Sequence, residues 1–179
     1  MLPPTLRDAA QWLAAIAFFL IPAGILWAAW RRSDLGVMRR ALAWDQAGWP
    51  WADYGPVVMA AVRAGVPVWG ANLPRADMRH AMQDASLDTR LPPAAWAEQQ
   101  RRIRAGHCNL LPDRQIVPMT RIQVARDAAM ADTVVRALQP GRTVLLVAGN
   151  GHVQRGLGIP QYLPGNIKAK VVSARTQQA

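Results

Sequence analysis

Five apolar residues run without interruption from Val144 to Ala148, and the run stops abruptly at Gly149-Asn150-Gly151. His152 follows at once. A continuous aliphatic and β-branched run bounded by glycines predicts a strand buried on both faces, the pattern of a parallel sheet. In open α/β sheets, ligands sit beyond the carboxyl ends of strands. The turn after Ala148, with Gly149, Gly151 and His152, is therefore the first place to look for chemistry.

The rest of the chain supplies elements for such a sheet. Tyr54-Gly55-Pro56 opens an apolar helix that ends near Gly65, with Pro56 in its first turn. Val66–Asn72 reads as a second buried strand, with Pro67 at its start, where a missing N–H does least harm. A helix from Leu73 to about Ala85 follows. A polar helix over Ala94–Ala105 is closed by Gly106, and Pro112 and Pro118 bracket a loop. The longest helix is expected over Met119–Leu138, with Ile122, Ala125, Ala129, Val134 and Leu138 as its buried stripe and Gln123 and Asp127 on one face. A final strand is expected over Lys168–Ala174. The sequence thus predicts an α/β fold, helices packed on a mainly parallel sheet, preceded by an apolar N-terminal helix.

That N-terminal segment, Ala9–Trp30, has about the 20 apolar residues a bilayer-spanning helix needs, with Trp12 at one end and Trp27 and Trp30 at the other. Residues 1–35 are read as an apolar leader or membrane anchor with a basic flank, and residues 36–179 as one α/β domain. The implied setting is membrane association in a bacterial cell envelope. Arg31, Arg32, Arg39 and Arg40 follow the segment, and only Arg7 precedes it, so the positive-inside rule alone would hold the domain in the cytoplasm.

A formal net charge of +10 raises the question of nucleic acid, but the arginines are scattered and no nucleic-acid module accompanies them, so none is expected as a partner. The single cysteine, Cys108, excludes an internal disulfide and reads as a buried structural thiol. His107 reads as a capping or packing residue and His80 as solvated. Trp44, Trp49 and Trp51 precede Tyr54 and either pack together or wall a flat apolar ligand. No serine sits in a glycine-flanked elbow, and Gly149–His152 lacks the lysine of a phosphate-binding loop.

Several segments carry a resemblance by their order and spacing. These are W-P-W-A-D-Y-G-P at 49–56, A-N-L-P-R at 71–75, G-H-C at 106–108, L-P at 111–112, Q-V-A-R-D-A-A-M-A at 123–131 and A-G-N-G-H-V at 148–153. Together they resemble the ChaN-type haem-binding domain of the wider Tiki superfamily, from about Gly36 to Ala174. The resemblance implies an α/β fold and a haem cofactor, held in related proteins as a cofacial pair between two protomers. One tyrosine coordinates iron and a histidine of the partner supports it, which corresponds to Tyr54 and His152 here. Gly149 and Gly151 beside the histidine are further candidates for cofactor binding, and Arg75 and Arg126, inside the matching segments, are candidates for the haem propionates.

Family members open with an apolar strand ending in G-E-x-H, which this sequence lacks. Its one glutamate is Glu98. The expectation is a truncated or frame-disrupted member that handles haem without catalysis, as a homodimer at a membrane. The alternatives are a Tiki-like metal-dependent hydrolase, suggested by the G-x-x-H of Gly149–His152, and a truncated domain without independent activity.

Overall fold

A computed structural model describes residues 36–173. The proposed anchor, Ala9–Trp30, lies outside the described residues. Among the described residues, no helix is long and apolar enough to cross a membrane. The chain divides into two compact units, Met1–Gly70 and Ala71–Ala179.

In the first unit a helical turn over residues 36–41 leads through a broken stretch to α1, Trp51–Arg63. The helix begins five residues before Pro56, so this proline lies inside it rather than at its start. Pro50 occupies the N-cap, and the Gln46 side chain accepts a hydrogen bond from the Trp51 N–H at 3.2 Å, satisfying one of the donors a helix start leaves over. Gly65 closes α1 at a φ of 69°, which costs a glycine little. Val66 N–H donates to Ala61 C=O at 2.9 Å and Gly65 N–H to Val62 C=O at 3.1 Å, the paired bonds of a Schellman end.

The second unit is built on α4, Asp113–Ala137, with α2 (Met78–Gln83) and α3 (Pro93–Gly106) packed against it. Short 3₁₀ turns lie at Arg75–Asp77, Ala85–Thr89 and Ile159–Tyr162. The long helix starts at Asp113 and runs through Pro118 instead of beginning after it. The missing proline N–H leaves one helical hydrogen bond unmade, while Ile116 and Thr120 on the same stretch are buried. The Thr120 hydroxyl, fully buried, returns its proton to the Ile116 carbonyl at 2.8 Å. The buried face also differs from the expected stripe: Ile122 is on it, with Val124, Asp127, Met130 and Ala131, whereas Ala125, Ala129 and Val134 are half-buried and Leu138 is exposed. Arg121 ties the helix to the Ala85–Thr89 turn through Asp88, at 2.8 Å from Nε and 2.7 Å from Nη2, and also donates to the Met82 carbonyl.

The expected parallel sheet is not there: the described residues contain no β-strand. Val66–Gly70, Val144–Ala148 and Lys168–Ser173 have no regular secondary structure, and no ladder of backbone hydrogen bonds joins any two of them. The best-formed case is Val144–Ala148. Its residues alternate, and Leu146 and Ala148 pack on the cluster of Met130, Ala131 and Ile159. The opposite side is open: Leu145 is 84% exposed and Val147 61%. The run was expected to be covered on both faces and is covered on one. The same holds elsewhere, with Val66, Trp69 and Val172 all exposed. Uninterrupted hydrophobicity is compatible with a buried strand, but the strand forms only when a neighbour supplies the other half of each hydrogen bond.

Candidate functional site

The turn that ends the Val144–Ala148 run belongs to the second unit. Its backbone closes by His152 N–H donating to the Gly149 carbonyl at 2.9 Å. The chain then loops back, and the Ile159 N–H donates to the His152 carbonyl at 2.8 Å. That closure leaves no room for a side chain at Gly158, where a Cβ would fall 2.0 Å from the His152 carbonyl oxygen. The loop and α4 together fix the histidine.

His152 Nδ1 lies 2.5 Å from Asp127 Oδ1, and the carboxylate is buried in the middle of α4 with 1% of its side chain exposed. Gln123, one turn earlier on the same face, places its amide nitrogen 2.9 Å from Nδ1. One nitrogen cannot both donate to Asp127 and accept from Gln123. The carboxylate is the stronger acceptor, so Nδ1 carries the proton and gives it to Asp127, while the Gln123 amide also supports the carboxylate. Burial pushes the Asp127 pKa upward, against the opposing pull of His152, Gln123 and Arg126. Nε2 makes no hydrogen bond to a described residue, and in the neutral ring it is the nitrogen with the lone pair. Gln123 and Asp127, expected on one face of the long helix, share that face and reach the loop that carries the candidate histidine.

Tyr162 completes this neighbourhood and was not singled out from the sequence. Its phenol oxygen is buried without a hydrogen-bond partner, and the Arg90 guanidinium stands 5.6 Å from its ring centre. Burial, reinforced by the negative charge of Asp127, raises its pKa and keeps the phenol neutral. No sequence signal marks this, because the tyrosine lies in an irregular stretch and only the packing of the Ile159–Tyr162 turn against α4 buries it.

The first unit presents Tyr54 on α1, half-buried among tryptophans. Its ring centre is 4.8 Å from that of Trp49 and 6.4 Å from that of Trp44. Trp44 meets Trp51 edge to face at 4.9 Å, and its indole N–H donates to the Trp49 carbonyl at 2.7 Å. The three tryptophans therefore pack on one another and on Tyr54. Gly55 makes room, since a Cβ there would meet the Trp51 indole at 2.5 Å.

The remaining candidates are dispersed. Arg75 is exposed on its 3₁₀ turn. Arg126 is half-buried, with one terminal nitrogen 3.5 Å from Met78 Sδ and its Nε buried without a partner. His107 caps α3, its Nδ1 2.7 Å from the Ile103 carbonyl. Cys108, expected to be buried, is exposed and adopts a φ of 54° in the turn after α3, away from any core. No three His, Cys, Asp or Glu residues gather as a metal site among the described residues.

The sequence model of the family described as "Haem-binding uptake, Tiki superfamily, ChaN" matches residues 23–163. The chain belongs to this family. Tyr54, Gln123, Asp127 and His152 all fall within the matched residues of this ChaN-family member. No curated protein and no solved structure matches the chain.

Proposed function

We propose that this ChaN-family chain binds ferric haem through the Tyr54 phenolate and takes part in haem uptake or handling, without catalysing a reaction. The observation that carries this reading is the contrast between the chain's two tyrosines. Tyr162 is held neutral by burial and is a poor anionic ligand. Tyr54 lies at a tryptophan-rich surface whose rings suit a flat apolar macrocycle. Phenolate is a hard anion matched to ferric haem iron. When bound, the haem supplies the iron centre, and the chain supplies its ligand and apolar contacts.

His152 has a separate role in this reading. Asp127 takes up Nδ1 and leaves Nε2 to face a ligand; in the doubly protonated ring Nε2–H donates to a phenolate oxygen, the role the family resemblance gives to a histidine supporting the partner protomer's phenolate. A homodimer, attachment through residues 9–30 and a place in the cell envelope complete the proposal. A metal-dependent hydrolase would need about three protein ligands around one ion, and His152 with buried Asp127 supplies a thinner set.

Titration of the purified chain with hemin tests the reading. Saturable binding with the charge-transfer spectrum of ferric phenolate haem is expected, lost in Tyr54→Phe and kept in Tyr162→Phe. An unchanged spectrum in Tyr54→Phe takes Tyr54 off the iron. Metal-dependent peptide cleavage abolished by His152→Ala, with no hemin binding, would replace the proposal with the hydrolase.

A further inference from the structure

Beside the histidine turn, the second unit holds an open cleft of about 490 Å³ that no part of the haem reading uses. Arg102 of α3 and Arg155 of the loop after His152 line it, with Asn150, Gln154 and Ser173. Among the described residues, no acidic one lines it. Ser173 donates to the Asn150 side-chain oxygen at 2.9 Å, joining two walls of the cleft. Arg102 is bonded to Glu98 through Nε at 2.7 Å, so its two terminal nitrogens make no hydrogen bond to a described residue. The Arg155 guanidinium is exposed, and the residue is engaged only through its backbone carbonyl, which accepts from Gln161 Nε2.

Glu98 already offsets charge at Arg102, and an oxyanion in the cleft would use the guanidinium donors of Arg102 and Arg155 that are otherwise left to water. The planar fork of arginine matches carboxylate and phosphate oxygens in pairs. Val153 and Val171 add apolar lining, so the cleft accepts an oxyanion attached to an apolar body as well as a free one.

We infer that this cleft is an anion site for carboxylate or phosphate groups, with Arg102 and Arg155 as its charged donors. The carboxylate could come from a haem propionate, which rests on the proposed function, or the oxyanion could be free phosphate, which does not. Asn150 and Val153 bracket Gly151-His152 in the chain, so an anion held here would sit on the loop that carries the histidine.

The test uses the full chain with inorganic phosphate as probe, at constant ionic strength, following the arginine Nε–H resonances. Saturable shifts at Arg102 and Arg155 are expected, with affinity falling at least fivefold in Arg155→Gln and in Arg102→Gln. Both side chains are at the surface, and circular dichroism checks that the fold survives. In parallel, hemin is compared with its dimethyl ester. Preference for hemin that disappears in both variants identifies the propionate as the source. Equal binding of the two haems, with the phosphate response intact, supports the site and identifies free phosphate. If no haem binds, the haem reading falls and the phosphate arm alone decides the site. Linear, non-saturating shifts that neither variant alters, with no discrimination between hemin and its ester, overturn it.

Discussion

Asp127 accepts the Nδ1 proton of His152 at 2.5 Å, from the buried face of a helix whose next turn back supplies Gln123 to the same pair. A carboxylate paired in this way selects one imidazole tautomer, and with it the nitrogen left for a ligand. In nitrogen-15 spectra of the neutral ring, Nδ1 is expected to be protonated and Nε2 not. Asp127→Ala should shift the ring toward the other tautomer and cost about 2 kcal/mol of stability, the order expected for a hydrogen bond to a charged group. Asp127→Asn keeps an acceptor and should preserve the tautomer. A ring indifferent to both substitutions would show that Asp127 does not set it.

Gly158 is held by space. Its absent side chain lets the loop return within hydrogen-bonding distance of the His152 carbonyl. Gly158→Ala should break that closure and cost on the order of 3 kcal/mol, with hydrogen exchange accelerating first at Ile159. A Gly156→Ala control, where a Cβ meets nothing within 4 Å, should leave exchange at Ile159 unchanged.

Gly55 performs the same service for the aromatic cluster of the first unit. Gly55→Ala is expected to displace the Trp51 indole and with it the edge-to-face contact to Trp44. The near-ultraviolet dichroism of the tryptophans should weaken, with a loss of about 1–3 kcal/mol from overpacking. An unaltered aromatic spectrum would mean that the cluster tolerates a methyl group where the geometry has no room for one.

Two carboxylates give opposite pH dependences. Hydrogen bonds from Arg121 hold the Asp88 carboxyl below the usual carboxylate range. A group depressed on folding contributes stability that is full above its unfolded pKa and is lost as pH falls through its folded value. Burial raises Asp127 instead. Its folded form holds the proton longer than the unfolded chain does, so its contribution declines as pH rises from about 4 toward that raised value. Urea midpoints measured from pH 2.5 upward should show Arg121→Gln losing the acid-side protection and Asp127→Asn losing the decline. Identical profiles for wild type and both variants would contradict the assignment.

Local chemistry was legible where it depends on neighbours in the chain. Gly65 marked the end of α1 because only its positive φ permits the paired carbonyl bonds there. α3 begins one residue before the expected Ala94 because Pro93 fits a first helical turn. The order of the matching segments identified the family. What failed depends on distant partners. Val144–Ala148 has the side-chain pattern of a central strand, yet pattern cannot provide a neighbouring backbone. Asp127 looked like one polar residue on a helix face, and only contact with the His152 loop buries it. Its one sequence signal was Gln123 four residues earlier on that face.

The open side of Val144–Ala148 also sets how the protein behaves in a tube. Leu145 and Val147 offer an adhesive stripe along a backbone that makes no ladder bonds to described residues, the chemistry by which edges recruit other chains. The opposing force is the charge of +10, which acts at a distance and weakens as ions shorten its reach to about 8 Å at physiological salt. Colloidal stability is thus a contest between a short-range attraction that salt does not weaken and a long-range repulsion that it does. Low ionic strength is expected to keep the molecules apart and added salt to drive them together, which light scattering across a salt series checks.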